Sequence, residues 1–176
     1  MTDATHLHVV VMGVSGTGKT TVAETLVAEL DLVFTEGDDH HPRANVEKMR
    51  SGAPLDDEDR APWLAALARW TAEQHAAGHD TALTCSALRR RYRDVLRGGV
   101  PEPTYFVHLL GSKDVLAERM AAREHFMPPS LLDSQFATLE QLEPDEDGVV
   151  VDVDRPLDAV VRDALAAVRD RASRLG

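Results

Sequence analysis

The stretch Gly13-Val-Ser-Gly-Thr-Gly-Lys19-Thr20 constrains this chain more than any other feature. It matches G-x-x-x-x-G-K-[ST], and its flanks are those the motif needs. The apolar run Leu7–Met12 precedes it, and Val22, Leu26, Val27 and Leu30 follow at helical spacing on one face. Glycines let the backbone turn tightly, so that successive N–H groups point at one anion. The helix start adds the positive end of its dipole. Lys19 is a mobile point charge that can follow β- and γ-phosphates, and the Thr20 hydroxyl is placed to ligate Mg²⁺. Gly13, Ser15, Gly16, Thr17, Gly18, Lys19, Thr20 and Thr21 are therefore the expected phosphate cradle for ATP.

The rest of the chain supplies an architecture to carry that turn. Five short β-like runs are evident: Leu7–Met12, Leu32–Thr35, Thr81–Thr84, Thr104–Leu110 and Gly148–Val153. The first and last are almost continuously apolar, the pattern of strands covered on both faces. Helical stripes lie between and after them: Trp63, Leu64, Leu67 and Trp70, then Leu157, Val160, Val161, Leu165 and Val168. Alternation of this kind predicts right-handed βαβ crossovers and an open α/β sheet. The 176 residues fit one domain, 1–176.

Charge and cysteine use narrow the function classes. Nineteen Lys and Arg against thirty Asp and Glu leave a net charge of −11. A broad basic face for nucleic acid or an anionic membrane is not expected from that balance. A small anionic ligand needs only a few local cations. The single Cys85 excludes a disulfide framework within the chain and a cysteine zinc cluster. Met1–His6 holds no Lys or Arg, and the following apolar run is far too short to span a bilayer. A cytoplasmic protein is expected.

A phosphate-binding turn serves several chemistries. A GTPase needs N-K-x-D, but Asn45, the one Asn of the chain, sits in Asn-Val-Glu-Lys. The third and fourth strand runs end without an Asp, so they supply no Walker-B acid. The second run does end in acids: Glu36-Gly37-Asp38-Asp39-His40-His41. Ligands of open α/β sheets bind beyond the carboxyl ends of strands. Asp38 is expected to face the phosphate site from a neighbouring strand, where its carboxylate can accept the proton of an attacking hydroxyl. Asp38-Asp39-His40-His41 also suit a transition metal by type, but four adjacent residues cannot all converge on one ion.

Longer motifs now carry a family likeness. The stretch from Glu36 to Met49 resembles the gluconokinase pattern D-G-D-x-x-H-P-x-x-N-x-x-K-M, with Glu36 where the pattern has Asp. Gly52–Leu64 resembles G-x-P-L-x-D-x-D-R-x-P-W-L, and Cys85–Arg93 resembles C-S-A-L-K-x-x-Y-R. His125-Phe-Met-Pro128 and Leu131–Glu140 are similar to the family's lid and following helix. The resemblance implies a three-layer P-loop kinase fold with a five-stranded parallel sheet, helices on both faces and a short lid near 124–131. It implies ATP-dependent phosphorylation of the 6-hydroxyl of gluconate, with Mg²⁺, and it suggests a homodimer. A shikimate kinase-like enzyme or a non-catalytic ATP-binding regulator are the alternatives. Lys19, Asp38 and Arg123 are then the catalytic candidates, and Arg119 and Arg123 share a helix face toward the nucleotide. Asp38, His41, Lys48, Arg60, Ser86, Arg89 and Gln135 are the candidates for gluconate.

The remaining charged residues carry weaker expectations. Arg89, Arg93 and Arg97 fall at i, i+4 and i+8 on one helix face; Arg93 shares the substrate reading, and Arg97 reads as solvated. Asp56–Asp59 reads as a helix start, and Glu143–Asp147 as a solvated loop. His75 and His79 read as surface histidines of one helix. Pro128 and Pro129 should break a helix.

Overall fold

A computed structural model describes residues 4–122 and 129–175. Arg123 and most of the expected lid lie outside them. Among the described residues are five strands, β1 (His8–Met12), β2 (Val33–Glu36), β3 (Thr81–Thr84), β4 (Tyr105–Leu110) and β5 (Gly148–Asp152). They form one parallel sheet in the order β2-β3-β1-β4-β5. The helices are α1 (Lys19–Leu30), α2 (Arg43–Arg50), α3 (Asp57–Ala76), α4 (Arg90–Arg97), α5 (Lys113–Ala121), α6 (Pro129–Thr138) and α7 (Leu157–Ser173). Right-handed crossovers that move in opposite directions along a sheet must use opposite faces. Accordingly α1 packs with α7, and α3 packs with α4.

The core follows from this order. β1 is the central strand, and all five of its residues are buried. Val9, Val11, Met12, Phe106 and Val107 are essentially sealed from solvent, with Leu26, Leu67 and Leu116 packed from the helices. β5 differs from its expected two-sided burial. It is an edge strand with only Val151 buried, and Val150 is 48% exposed. An apolar run reports β propensity, not whether a second neighbour will arrive.

Local rules place the ends of the helices around the site. Gly16 and Gly18 have φ of 86° and 87°, which the turn into α1 needs and a side chain resists. Asp56 caps α3: its carboxylate accepts from the Asp59 N–H, and Asp59 accepts from the Asp56 N–H. This reciprocal cap is the helix start expected of Asp56–Asp59. Pro129 does not break a helix but begins one, α6, where its missing N–H costs nothing. The expected lid therefore gives up 129–131 to a regular helix.

The second acidic cluster is not a solvated loop. Glu146 has no exposed side-chain surface and pairs with Arg93 and Arg97. Glu143 and Asp145 hold Arg90, and Asp147 holds Arg171. The cluster is where α4 and α7 are tied to the loop leading into β5.

Candidate functional site

β1 ends in the phosphate-binding turn, and the carboxyl edge of the sheet opens there into a cleft. Ser15, Lys19, Asp38, His41, Arg60, Ser86 and Gln135 all line it. These residues come from five separate stretches of the chain. Asp38 does not arrive from a strand next to β1, as expected, because β3 lies between β2 and β1. It stands on a short 3-10 turn, Gly37–His40, that follows β2.

That turn is anchored through Gly37. Its N–H donates to Thr84 Oγ1 at 3.0 Å, and its carbonyl accepts from Trp63 Nε1 at 2.7 Å. A Cβ on residue 37 would come within 1.8 Å of the Thr84 carbonyl oxygen, so only glycine allows the approach. Asp38 itself is exposed, with 79% of its side chain accessible. Its carboxylate lies 3.8 Å from His41 Nε2. His41 stacks on Trp63 with ring centroids 4.0 Å apart and planes 18° from parallel. Burial pushes the His41 pKa down, Asp38 opposes that shift and Arg60 adds to it.

The phosphate turn is closed by its own contacts. Lys19 Nζ donates to the carbonyls of Gly13 at 3.0 Å and Val14 at 3.1 Å. Burial pushes its pKa below the usual lysine value, and Asp38 and Glu36 pull it back. The Ser15 N–H donates to Gln135 Oε1 at 2.7 Å, and Gln135 Nε2 donates to Ser15 Oγ at 3.1 Å. α6 thus touches the turn through Gln135. Thr20 donates its hydroxyl proton to Glu36 Oε1 at 2.8 Å. Hydroxyl and carboxylate oxygens are the donors that Mg²⁺ takes. Gly13, Gly16, Thr17 and Gly18 complete the turn, with Thr17 buried and bonded to the Val14 carbonyl. Thr21 lies exposed in the first turn of α1.

The other predicted residues divide. Ser86 reaches the cleft because Ala87 takes a left-handed conformation, φ 47°, unusual for a residue with a Cβ. Arg60 donates to Tyr92 Oη at 3.0 Å and sits over that ring at 5.1 Å. Lys48 does not line the cleft; it donates to Asp59 Oδ2 at 2.6 Å and joins α2 to α3. Asn45 serves the same joint through the Asp59 carbonyl at 2.8 Å. Arg89 lies just outside the cleft as the residue before α4, not on its face, and its buried Nε has no hydrogen-bond partner among the described residues. Arg119 donates to the Val153 carbonyl at 2.7 Å, in the loop after β5. Arg123 lies outside the described residues.

Two arginine readings change. Arg93 is not a substrate group: it is wholly buried and is held by Glu146 and by the carbonyls of Ala87 and Glu140. Arg97 is not solvated either; it pairs with Glu146 and covers the Phe106 ring at 4.7 Å. Sequence reasoning also missed the apolar walls of the cleft, Met49, Leu55, Trp63, Leu88 and Leu131. Trp63 and Leu88 sit inside motifs already quoted. Met49, Leu55 and Leu131 also fall within the resembling stretches, but nothing besides their apolar character marks them as wall residues.

Comparison with known proteins agrees over nearly the whole chain. A family model described as an AAA domain matches residues 9–142. The chain is 54% identical to the gluconokinase of Gluconobacter oxydans (strain 621H), over 89% of this chain and 88% of that one. It is 42% identical to the thermoresistant gluconokinase of Escherichia coli (strain K12), over 96% and 97%. A crystal structure of a gluconokinase from Sinorhizobium meliloti 1021 superposes with a TM-score of 0.86 at 47% identity, covering 96% of this chain and 95% of that one.

Proposed function

The chain belongs to the gluconokinase family and phosphorylates gluconate with ATP, and from that premise we propose how the residues of the cleft divide the work. The observation that carries the reading is the meeting of Asp38 and Lys19 in one cleft, the acid from the turn after β2 and the cation from the P-loop.

ATP lies with its phosphates on the turn Gly13–Thr20. Lys19 exchanges its two carbonyl partners for phosphate oxygens. Arg119 and Arg123 add positive charge from the nucleotide side, where a guanidinium fork matches phosphate oxygens. Thr20 and Glu36 would hold Mg²⁺, which when bound neutralises charge on the phosphate oxygens. The resemblance places Asp there; Glu36 reaches the Thr20 hydroxyl with its longer arm.

Gluconate occupies the cleft between the Asp38 turn, Arg60 and Ser86. His41, clamped flat on Trp63, offers a ring nitrogen to a hydroxyl. Arg60, steadied by Tyr92, meets the carboxylate, and Arg89, whose buried Nε has no hydrogen-bond partner among the described residues, is the second candidate for it. Asp38 accepts the proton of the 6-hydroxyl as that oxygen attacks the γ-phosphorus in line, giving 6-phosphogluconate and ADP. Gln135 couples acceptor and donor halves because α6 both lines the cleft and touches Ser15. Lys48 acts at one remove, by fixing α2 against α3.

A cytoplasmic setting is supported by the buried free thiol of Cys85. No described helix is long and apolar enough to cross a membrane. A homodimer rests on family likeness. Incubation with Mg-ATP and a panel of sugar acids tests the whole reading. Phosphorylation of gluconate is expected, and turnover of shikimate but not gluconate would overturn it.

A further inference from the structure

A second polar cluster lies at the other edge of the sheet, where the strands begin. His8 opens β1, His75 lies in the last turn of α3, and Glu102 lies between α4 and β4. His8 Nε2 and His75 Nδ1 are 3.0 Å apart, and His75 Nδ1 is 3.4 Å from Glu102 Oε2. The three atoms all fall within 4.8 Å of one another. His75 is therefore not the surface histidine its position suggested. His79 is; it is exposed, beyond the end of α3.

Hydrogen bonding alone leaves this cluster unresolved. His75 Nδ1 faces an imidazole nitrogen and a carboxylate oxygen, and it carries one proton at most, so it can donate to only one of them. Glu102 Oε2 is buried and has no hydrogen-bond partner among the described residues. A buried carboxylate oxygen without a partner is costly. One cation among the three atoms gives every lone pair a partner at once. The outer contact is also present: His8 Nδ1 lies 2.8 Å from Thr81 Oγ1. Donation of the Nδ1 proton to that hydroxyl leaves the Nε2 lone pair directed at the cluster, the support a metal-bound imidazole usually has.

We propose that His8, His75 and Glu102 form a binding site for a divalent transition-metal ion of the zinc type, with a further position open to water. Two imidazole nitrogens and one carboxylate oxygen are a donor set that zinc takes. Mg²⁺ and Ca²⁺ prefer oxygen alone, so the site is separate in chemistry as well as place from Thr20 and Glu36. The ion would tie the start of β1, the end of α3 and the approach to β4 into one staple. His6 stays outside the ligand set, because its Nδ1 is held by Asp80 at 3.0 Å.

The test uses untagged protein, freed of metal with a chelator and titrated with Co²⁺ and then Zn²⁺. One Co²⁺ per chain is expected, with the visible absorption of a four-coordinate site, displaced by Zn²⁺; Zn²⁺ also raises Tm. His75→Asn and Glu102→Gln should lose the Co²⁺ signal and the Zn²⁺-dependent rise in Tm while keeping the Mg-ATP kinase rate. Thr81→Val should weaken binding about 10- to 100-fold without abolishing it. Should His75→Asn fail to fold, the isosteric Glu102→Gln decides. Absence of binding by the unaltered chain, or a Co²⁺ spectrum unchanged in Glu102→Gln, overturns the site. So does a signal lost instead in His40→Asn, which would place the ion beside the phosphate cleft.

Discussion

Arg93 and Glu146, neither with any exposed side-chain surface, form a two-pronged ion pair, Nε to Oε1 at 2.7 Å and Nη2 to Oε2 at 2.9 Å. Burial pushes the Glu146 carboxyl up, but hydrogen bonds from Arg93, the Glu143 N–H and Arg97 outweigh it and hold the pKa at about 2. The same guanidinium donates to the Ala87 carbonyl at 2.9 Å. The pair therefore fixes the left-handed turn that presents Ser86 to the cleft.

Breaking one side of that pair should be severe. Glu146→Gln leaves a buried guanidinium without its counter-charge, and loss of one partner of such a pair costs about 3–5 kcal/mol. Urea unfolding at neutral pH measures it. The double variant Arg93→Met, Glu146→Leu should lose less than the sum of the single losses, because neither charge is then stranded.

Asp38→Asn separates chemistry from folding. Asp38 is exposed on a turn held by backbone contacts of Gly37, so its carboxylate contributes little to stability. The variant should keep its Tm and lose about 10²–10⁴-fold in kcat, the usual worth of a positioned general base. Near-normal turnover would remove Asp38 from the mechanism.

Tyr92→Phe tests how Arg60 is aimed. The Tyr92 hydroxyl accepts from Arg60 and donates to Asp57, so its loss removes two contacts but keeps the ring beneath the guanidinium. One net hydrogen bond is worth about 1 kcal/mol, which corresponds to roughly a 5-fold rise in KM. That rise should appear for gluconate and not for ATP in steady-state assays.

These residues also show what could be read beforehand. The phosphate turn, the five strands to within a residue of their ends, and the cap at Asp56 follow from local pattern, and all are present. What stayed hidden is non-local. Arg93 and Arg97 have the spacing of a solvated stripe, and their partner Glu146 is about fifty positions away in a segment that reads as a charged loop. β5 reads as buried because apolar content does not say which strand will be at an edge. The route of Asp38 to the cleft depends on β3 inserting between β2 and β1, a choice made by the whole sheet. Among the substrate candidates, Lys48 has the family's spacing yet spends its charge on Asp59.

Acid should weaken the fold through its buried histidines, His41 of the cleft among them. His108 lies in β4 with both ring nitrogens buried and unpartnered among the described residues. Its pKa is pushed down to about 4, first by burial and then by Arg93, with Glu146 opposing. In the metal-free protein His8 is likewise held at about 4, chiefly by burial. An unfolded histidine titrates near 6.5. Between about 6.5 and 4 the unfolded chain therefore binds protons that the folded chain refuses, and stability falls as pH falls. A shift of this size corresponds to about 3 kcal/mol per histidine, present in full above pH 6.5 and lost by the time the folded ring protonates. The Glu146 contribution is lost in a lower window, from its ordinary carboxylate range down to about 2. Urea midpoints at pH 7, 5.5 and 4.5 should fall steadily for the unaltered chain. His108→Leu should flatten that decline in part, since His8 and His41 remain, and an unchanged slope would show that the pKa of His108 is not pushed down in the folded state.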